Sequence, residues 1–394
     1  DIRLSHVLHN TVSVAIAPNV IGETLTVGGV DFTFVDAAVV TVPSAVQIAV
    51  NVGDSTQALA LAAESVINAR MGAGTVTAPN NTITTEETVS APDPAKLRIV
   101  SAAQLVSGLA IDYSSRNSDG VFRYTPVGNA YGQVVVTVTA EDAGVDGVFG
   151  SADDLLVSRT FTITIQPVND PPTMDAVPVQ YRLEDSGPQV INLSGISPGP
   201  GELEGVRVSA AIDASSVLIV PGGGDAAGRV ITVNGVDFTY VTTASNVTTD
   251  IVIIDVVTLV TVDSTFEVAE ATAAAINAHF GDGTATARLN TVTTALPVST
   301  SSSSFRVLAA NQVISNAVVN YNSGSSTGTL SYTPLPNAFG TVTVTVTLRD
   351  NGIDGIAGNA DDGVSTRKVQ IVVDPLNDAP TLNDLADMYL PVGS

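Results

Sequence analysis

The sequence predicts a mainly β protein of tandem β-sandwich units, each carrying an inserted small α+β module of ββ-α-β type. Three observations predict it. Apolar and polar residues alternate in several stretches: Phe161, Ile163 and Ile165 in FTITI, and Val342, Val344, Val346 and Leu348 in TVTVTVTL. That is the period of a strand with one buried face. Whole blocks recur at a near-constant spacing. Tyr124-Thr125-Pro126 returns as Tyr332-Thr333-Pro334, and Asn169-Asp170 returns as Asn377-Asp378, 377 − 169 = 208 residues on. In the middle of each unit the alternation gives way to a helical period, and removing that middle leaves a continuous sandwich sequence.

Composition sets the bounds. A chain of 394 residues accommodates two or three domains. Hydrophobic residues make up 44% and aromatics 5%, with no Trp, so the cores are built from Val, Ile, Leu and Ala. With 39 acidic and 15 basic residues the formal net charge is −24, which argues against nucleic acid and anionic membranes as partners. Two uses remain for the acids, solubility and divalent-cation binding. There is no uninterrupted apolar run of about 18 residues, so no membrane insertion is expected. Cysteine is absent, so disulfides play no part. The only lysines are Lys96 and Lys368, and a Lys–Asn isopeptide crosslink in each unit is one chemistry open to them.

In chain order, residues 1–170 form a first repeat without its opening strands, its module inserted at about 19–100. Residue 1 falls at about the position of Ala214 in the second repeat. Residues 171–376 form a complete second repeat, opening with two short strands and carrying its module at about 222–313; residues 377–394 open a third. This frame implies a window on a tandem array. Either the polypeptide continues on both sides, or a neighbouring subunit supplies the missing strands by β-strand addition. Within the modules, TVGGVDFTFV (Thr26 to Val35) and TVNGVDFTYV (Thr232 to Val241) match, and Asn234-Gly235 marks the tight turn of a hairpin. A helix follows at Ser264 to His279, with Ser264 and Glu267 as a capping box and Val268, Ala271, Ala275 and Ile276 as its apolar stripe; Thr272 interrupts the stripe. Its counterpart runs from Ser55 to Arg70, with Leu59, Ala62, Ala63, Val66 and Ile67. Gly281-Asp282-Gly283 stops the second helix, and Thr284 to Leu289 returns as a strand.

The residues that could carry chemistry lie in one repeated loop. EDAGVDGVFGSADD, Glu141 to Asp154, returns as RDNGIDGIAGNADDG, Arg349 to Gly363. Each copy places carboxylates at four matching positions: Asp142, Asp146, Asp153 and Asp154, then Asp350, Asp354, Asp361 and Asp362. Calcium takes six to eight oxygens, and a Gly-rich loop can fold carboxylates and carbonyls round one ion. The competing reading is a solvated acidic turn, since Asp and Gly are ordinary turn formers. The spacing departs from that of an EF-hand. His6 and His9 could bind a metal, while His279 is read as a favourable charge at a helix end. No phosphate loop, nucleophile elbow or zinc motif occurs, so no enzyme is expected. Sequons stand at Asn80, Asn192 and Asn246.

PVNDPPT and PLNDAPT, the YTP…NA-G-T-TVTVT run and RLEDSGPQVINLSGISPG together resemble the tandem cadherin-like or immunoglobulin-like repeats of large bacterial surface proteins. The resemblance covers the sandwich parts. It implies an extracellular or cell-surface location, structural or adhesive work, and calcium at the junctions between repeats. Asn169 and Asp170 then correspond to linker ligands, and Glu184 and Asp185 to the acidic pair opening the next repeat. Asn377 and Asp378 repeat the linker, but Val392 and Gly393 stand where the following acidic pair belongs. The expected function is a calcium-stabilised stalk, filament or surface layer, partnered by neighbouring repeats or copies of itself. The alternative is an adhesin whose module binds a cell-surface protein or glycan.

Overall fold

The computed structural model describes residues 2–40, 46–114, 119–241, 252–255 and 264–380, and the statements below concern those residues. The protein is mainly β. The second repeat shows the sandwich in full. One sheet runs Gln180–Leu183, Val364–Asp374, Gly340–Arg349 and Arg207–Ile212, and the other runs Gln189–Leu193, Gly328–Pro334 and Ile314–Tyr321. Alternation puts Val342, Val344, Val346 and Leu348 of one sheet against Ile191, Leu193, Leu330 and Tyr332 of the other, in a single core. Gln180–Leu183 pairs parallel with Val364–Asp374, and every other strand pair in the two sheets is antiparallel.

The first repeat holds five of these strands: Ile2–Leu8, Gly132–Asp142 and Leu156–Ile165 in one sheet, Val106–Tyr113 and Gly120–Pro126 in the other. Ile2 stands opposite Asp142 much as Arg207 stands opposite Arg349. The chain therefore enters its first repeat one strand earlier than the expected position near Ala214. What the described residues lack is the counterpart of Gln180–Leu183 and Gln189–Leu193. The core is correspondingly small, eight buried residues against twenty in the second sandwich.

Each module is larger than the expected ββ-α-β unit. In the first, Val76–Thr77, Thr82–Thr85, Val12–Ile16 and Leu97–Ser101 make one four-stranded sheet; Gln47–Val50, Val30–Asp36, Thr24–Val27 and Val89–Ser90 make another. The second module repeats the plan, with Ser216–Ile219 in the place of Val12–Ile16. Both of those strands lie ahead of the expected insertion points at 19 and 222. Most of the added strands are two to four residues long, too short to show a period against their surroundings. The hairpin turn is as expected: Asn234 and Gly235 take φ of 49° and 81°, the paired left-handed conformation of a type I′ turn.

One helix closes each module. Thr56–Met71 is capped by Ser55, which accepts from the Ala58 N–H, and Thr265–Phe280 by Ser264, which forms the predicted capping box with Glu267. The buried stripe is Leu59, Ala60, Ala63 and Ile67 in the first and Val268, Ala269, Thr272, Ala273 and Ile276 in the second. Thr272 does not weaken its stripe. Its hydroxyl lies 2.8 Å from the Tyr240 hydroxyl and donates at 2.6 Å to the Val268 carbonyl, so the buried polar atoms satisfy one another. His279 packs edge-on to Phe238 and Phe280. Module and sandwich meet closely at Gly340, where a Cβ would collide with Val217.

The two repeats touch through the first module. The Thr56 N–H donates to the Asp354 carbonyl at 3.1 Å and its hydroxyl to the Ile353 carbonyl at 3.1 Å. Arg98 donates to the carbonyls of Asn129 and Gly201, one in each repeat. No helix among the described residues is long and apolar enough to cross a membrane. The expected opening of a third repeat lies, from residue 381 on, outside the described residues, as does the sequon at Asn246.

Candidate metal centres

Both acidic loops connect the last two long strands of their sandwich, so a rigid hairpin holds their necks. In the first loop, Asp142 Oδ1 accepts from the N–H groups of Gly144 (3.1 Å) and Leu155 (2.9 Å) and staples the neck shut. The other three carboxylates converge. Asp153 accepts from the Val145 N–H at 2.6 Å and the Ser151 hydroxyl at 2.6 Å. Asp154 accepts from the Gly150 N–H at 2.6 Å, and Asp146 from the Val148 N–H at 2.9 Å. One oxygen from each of Asp146, Asp153 and Asp154 lies within 4.8 Å of the other two. The Ser151 hydroxyl and the Val145 N–H hold the Asp153 carboxyl below its ordinary value. For Asp154 desolvation pulls upward, but the Gly150 N–H and the Ser151 hydroxyl outweigh it and the net shift is also downward. Three carboxylates so close, on a loop of positive-φ glycines, form a donor set suited to a hard divalent cation. The four-carboxylate expectation thus resolves into three candidate ligands and one staple.

The second loop has the same neck but different company. Asp350, fully buried, accepts from the N–H groups of Gly352 (2.9 Å) and Gly363 (2.7 Å) and from the Asn169 side-chain amide at 3.3 Å. Asp361 accepts from the Ile353 N–H at 2.9 Å. Asn359 stands in place of Ser151 and donates to Asp354 at 2.9 Å, and Arg207 donates to Asp362 at 2.6 Å. The side chain of Asp362 is only 2% exposed, and its Oδ1 has no partner.

Beside this loop the linker enters. The Asp170 N–H donates to Glu202 Oε1 at 2.6 Å, which joins Asn169, Asp170, Asp350 and Glu202 in one acidic pocket between the repeats. Sequence reasoning missed Glu202 and its neighbour Glu204. Glu202 and Glu204 meet side chain to side chain, where the protonated Glu202 carboxyl donates to Glu204, and the enclosed Oδ1 atoms of Asn169 and Asn351 have no partner. Burial pushes the Glu202 carboxyl up to about 9 against the Asp170 N–H bond, with the hydrogen bond to Glu204 and the charges of Glu204 and Asp170 adding to the rise. Burial also raises Glu204, and the Asp350 charge contributes. The signal available in sequence was Glu-x-Glu immediately before Gly205 and the strand Arg207–Ile212.

Glu184 is not in that pocket. Its N–H donates to the Asp374 carbonyl at 3.0 Å, and its Oε1 accepts from the Leu376 N–H at 2.8 Å. It therefore sits at the opposite end of the second repeat, next to the linker that carries Asn377 and Asp378. It is 4% exposed, and its Oε2 has no partner. Asp185, Asn377 and Asp378 are exposed. The expected junction set therefore divides between two ends. Asn169 and Asp170 meet the loop of the second repeat, and Glu184 meets the linker that leaves it.

The remaining candidates are occupied by ordinary interactions. His9 bonds Glu86 at 2.7 Å and Thr137 at 2.6 Å through its two ring nitrogens, and His6 packs against Phe122. Lys96 pairs with Glu23 at 2.8 Å, and Lys368 lies 3.8 Å from Asp213. No family model matches this chain, and no curated protein is significantly similar to it in sequence.

Proposed function

We propose that this chain is a stretch of extracellular structural repeats, of the immunoglobulin- and cadherin-like class, whose loops and inter-repeat joint are locked by calcium. The strand orders support the class, since a sandwich with the last two long strands beside the third and the second, fifth and fourth opposite is the plan of such domains. The protein works by holding geometry, as a stalk, filament or surface layer of a secreted protein, partnered by neighbouring repeats or further copies. The observation that carries the reading is the first acidic loop, where one oxygen from each of Asp146, Asp153 and Asp154 lies within 4.8 Å of the other two. The acidic joint between the repeats is a second place, where a cation would displace the proton that Glu202 shares with Glu204 and join linker to loop. Calcium suits these irregular oxygen sets better than magnesium, which demands near-octahedral geometry and dehydrates reluctantly. Millimolar extracellular calcium fills sites of roughly 10⁻⁴ to 10⁻³ M.

Calcium titration calorimetry tests the reading. The chain is expected to bind calcium in that range and to respond far less to magnesium. Glu202→Gln with Glu204→Gln abolishes the junction component, and Asp153→Asn abolishes the component from the first loop. A chain that takes up no calcium at millimolar concentration contradicts the proposal.

A further inference from the structure

The two acidic loops align residue for residue and differ in what stands beside them. In the first, the Ser151 hydroxyl lies 3.4 Å from Asp146 Oδ1, 2.6 Å from Asp153 Oδ1 and 3.0 Å from Asp154 Oδ1. A hydroxyl has one proton to donate, so it cannot satisfy all three carboxylates at once. No Lys or Arg among the described residues pairs with any of them. In the second loop, Asn359 donates to Asp354 at 2.9 Å, and Arg207 donates to Asp362 at 2.6 Å and to the Asp350 carbonyl at 3.3 Å. Asp354, Asp361 and Asp362 do not converge as their counterparts do. The strand register explains the exchange of partners. Arg3 and Arg207 hold equivalent places beside the loop necks, Arg3 opposite Glu141 and Arg207 opposite Arg349. Arg3 therefore pairs with Glu141 and packs 5.1 Å from the centre of the Phe149 ring. In the second repeat Arg349 offers no anion and Ala357 replaces Phe149, so Arg207 turns to the loop.

We propose that Arg207 is a built-in counterion of the second acidic loop, filling there the role that a divalent cation fills in the first, so that the second loop closes without metal. Its guanidinium compensates Asp362, whose side chain is only 2% exposed, through a charge-assisted hydrogen bond. Removing one partner of such a pair leaves a nearly enclosed charge uncompensated, which is strongly unfavourable. The metal dependence of the first loop rests on the calcium reading above, whereas the assignment of Arg207 rests on the contacts of the second loop alone. The division has a structural use. The second loop is the one that meets the first module, where Thr56 donates to the carbonyls of Ile353 and Asp354. Its half of the joint therefore keeps its shape when calcium is scarce.

Amide exchange of the whole chain, followed in residues 145–151 and 353–359, tests it. In chelator, Arg207→Gln is expected to speed exchange in 353–359 by about tenfold or more and to leave 145–151 unchanged. Arg207→Lys, which keeps the charge, should speed it less. The calcium arm uses the chain carrying Glu202→Gln and Glu204→Gln, so that a cation at the joint does not contribute. Millimolar calcium is expected to slow exchange in 145–151 by about tenfold and to leave 353–359 within about twofold. Two results overturn the proposal. One is unchanged exchange in 353–359 of the Arg207→Gln chain in chelator. The other is a calcium effect on 353–359 as large as that on 145–151. If neither loop responds to calcium while Arg207→Gln still opens the second, the calcium reading fails and the assignment of Arg207 stands.

Discussion

At the scale of single residues, the chain spends its acids in two ways. Asp142 and Asp350 act as hydrogen-bond acceptors that close the loop necks, where substitution loosens the loop whatever ion is present. Glu202 and Glu204 are held where ionisation is costly, and this sets a pH dependence. A carboxyl whose folded value is raised contributes stability that is fully present below its unfolded value and is lost as pH rises through the folded one. For Glu202 that window runs from the ordinary carboxylate range up to about 9. The calcium-free protein is therefore expected to lose thermal stability between pH 5 and pH 9, and Glu202→Gln should flatten the loss; thermal melts in chelator across this range check it. Little of this was legible in sequence. The loop carboxylates announced themselves by repetition, but Glu202 and Glu204 sit in a single described copy. Their meaning comes from contact with Asn169 and Asp350, far away in the chain. The assignment of Glu184 to the first junction failed for a related reason. A parallel strand at the sheet edge carries Glu184 to the end of the repeat farther from Asn169.

At the scale of elements, the helices were the most legible, because caps and apolar period agree. Ser264→Ala removes an acceptor for the Glu267 N–H and breaks the capping box, and is expected to cost about 1 kcal/mol in urea unfolding. Ser55→Ala should cost less, since Ser55 has no acidic partner three residues on and forms no box. The module strands were less legible. Thr82–Thr85 and Thr291–Thr294 are buried at nearly every position, so they lack the alternation that marks a half-buried strand. Val12–Ile16 is almost wholly buried too, at the centre of its sheet, and reads simply as an apolar run. The helix stripe was also displaced by about one position, bringing Ala60 and Ala269 inward, because the helix packs against both sheets of its module rather than against one hairpin.

At the scale of the whole molecule, the repeat of about 208 residues and the sandwich flanks could be read directly, since TVTVTVTL and FTITI keep strict alternation, over a buried face in TVTVTVTL and with Ile163 buried in FTITI. The joint between repeats could not, because it is made by surfaces that only tertiary structure brings together. The first module's helix start meets the second repeat's acidic loop at Thr56 and Asp354, and Arg98 bridges the two repeats. The central claim is that divalent cations stabilise this chain by satisfying its loop and junction carboxylates. The most direct test is scanning calorimetry of the whole chain at pH 8, in millimolar calcium and in excess chelator. The account predicts that calcium raises the unfolding temperature in proportion to the logarithm of its free concentration above the binding constant, and that Glu202→Gln with Glu204→Gln reduces the shift. Superimposable unfolding curves in calcium and in chelator would contradict it.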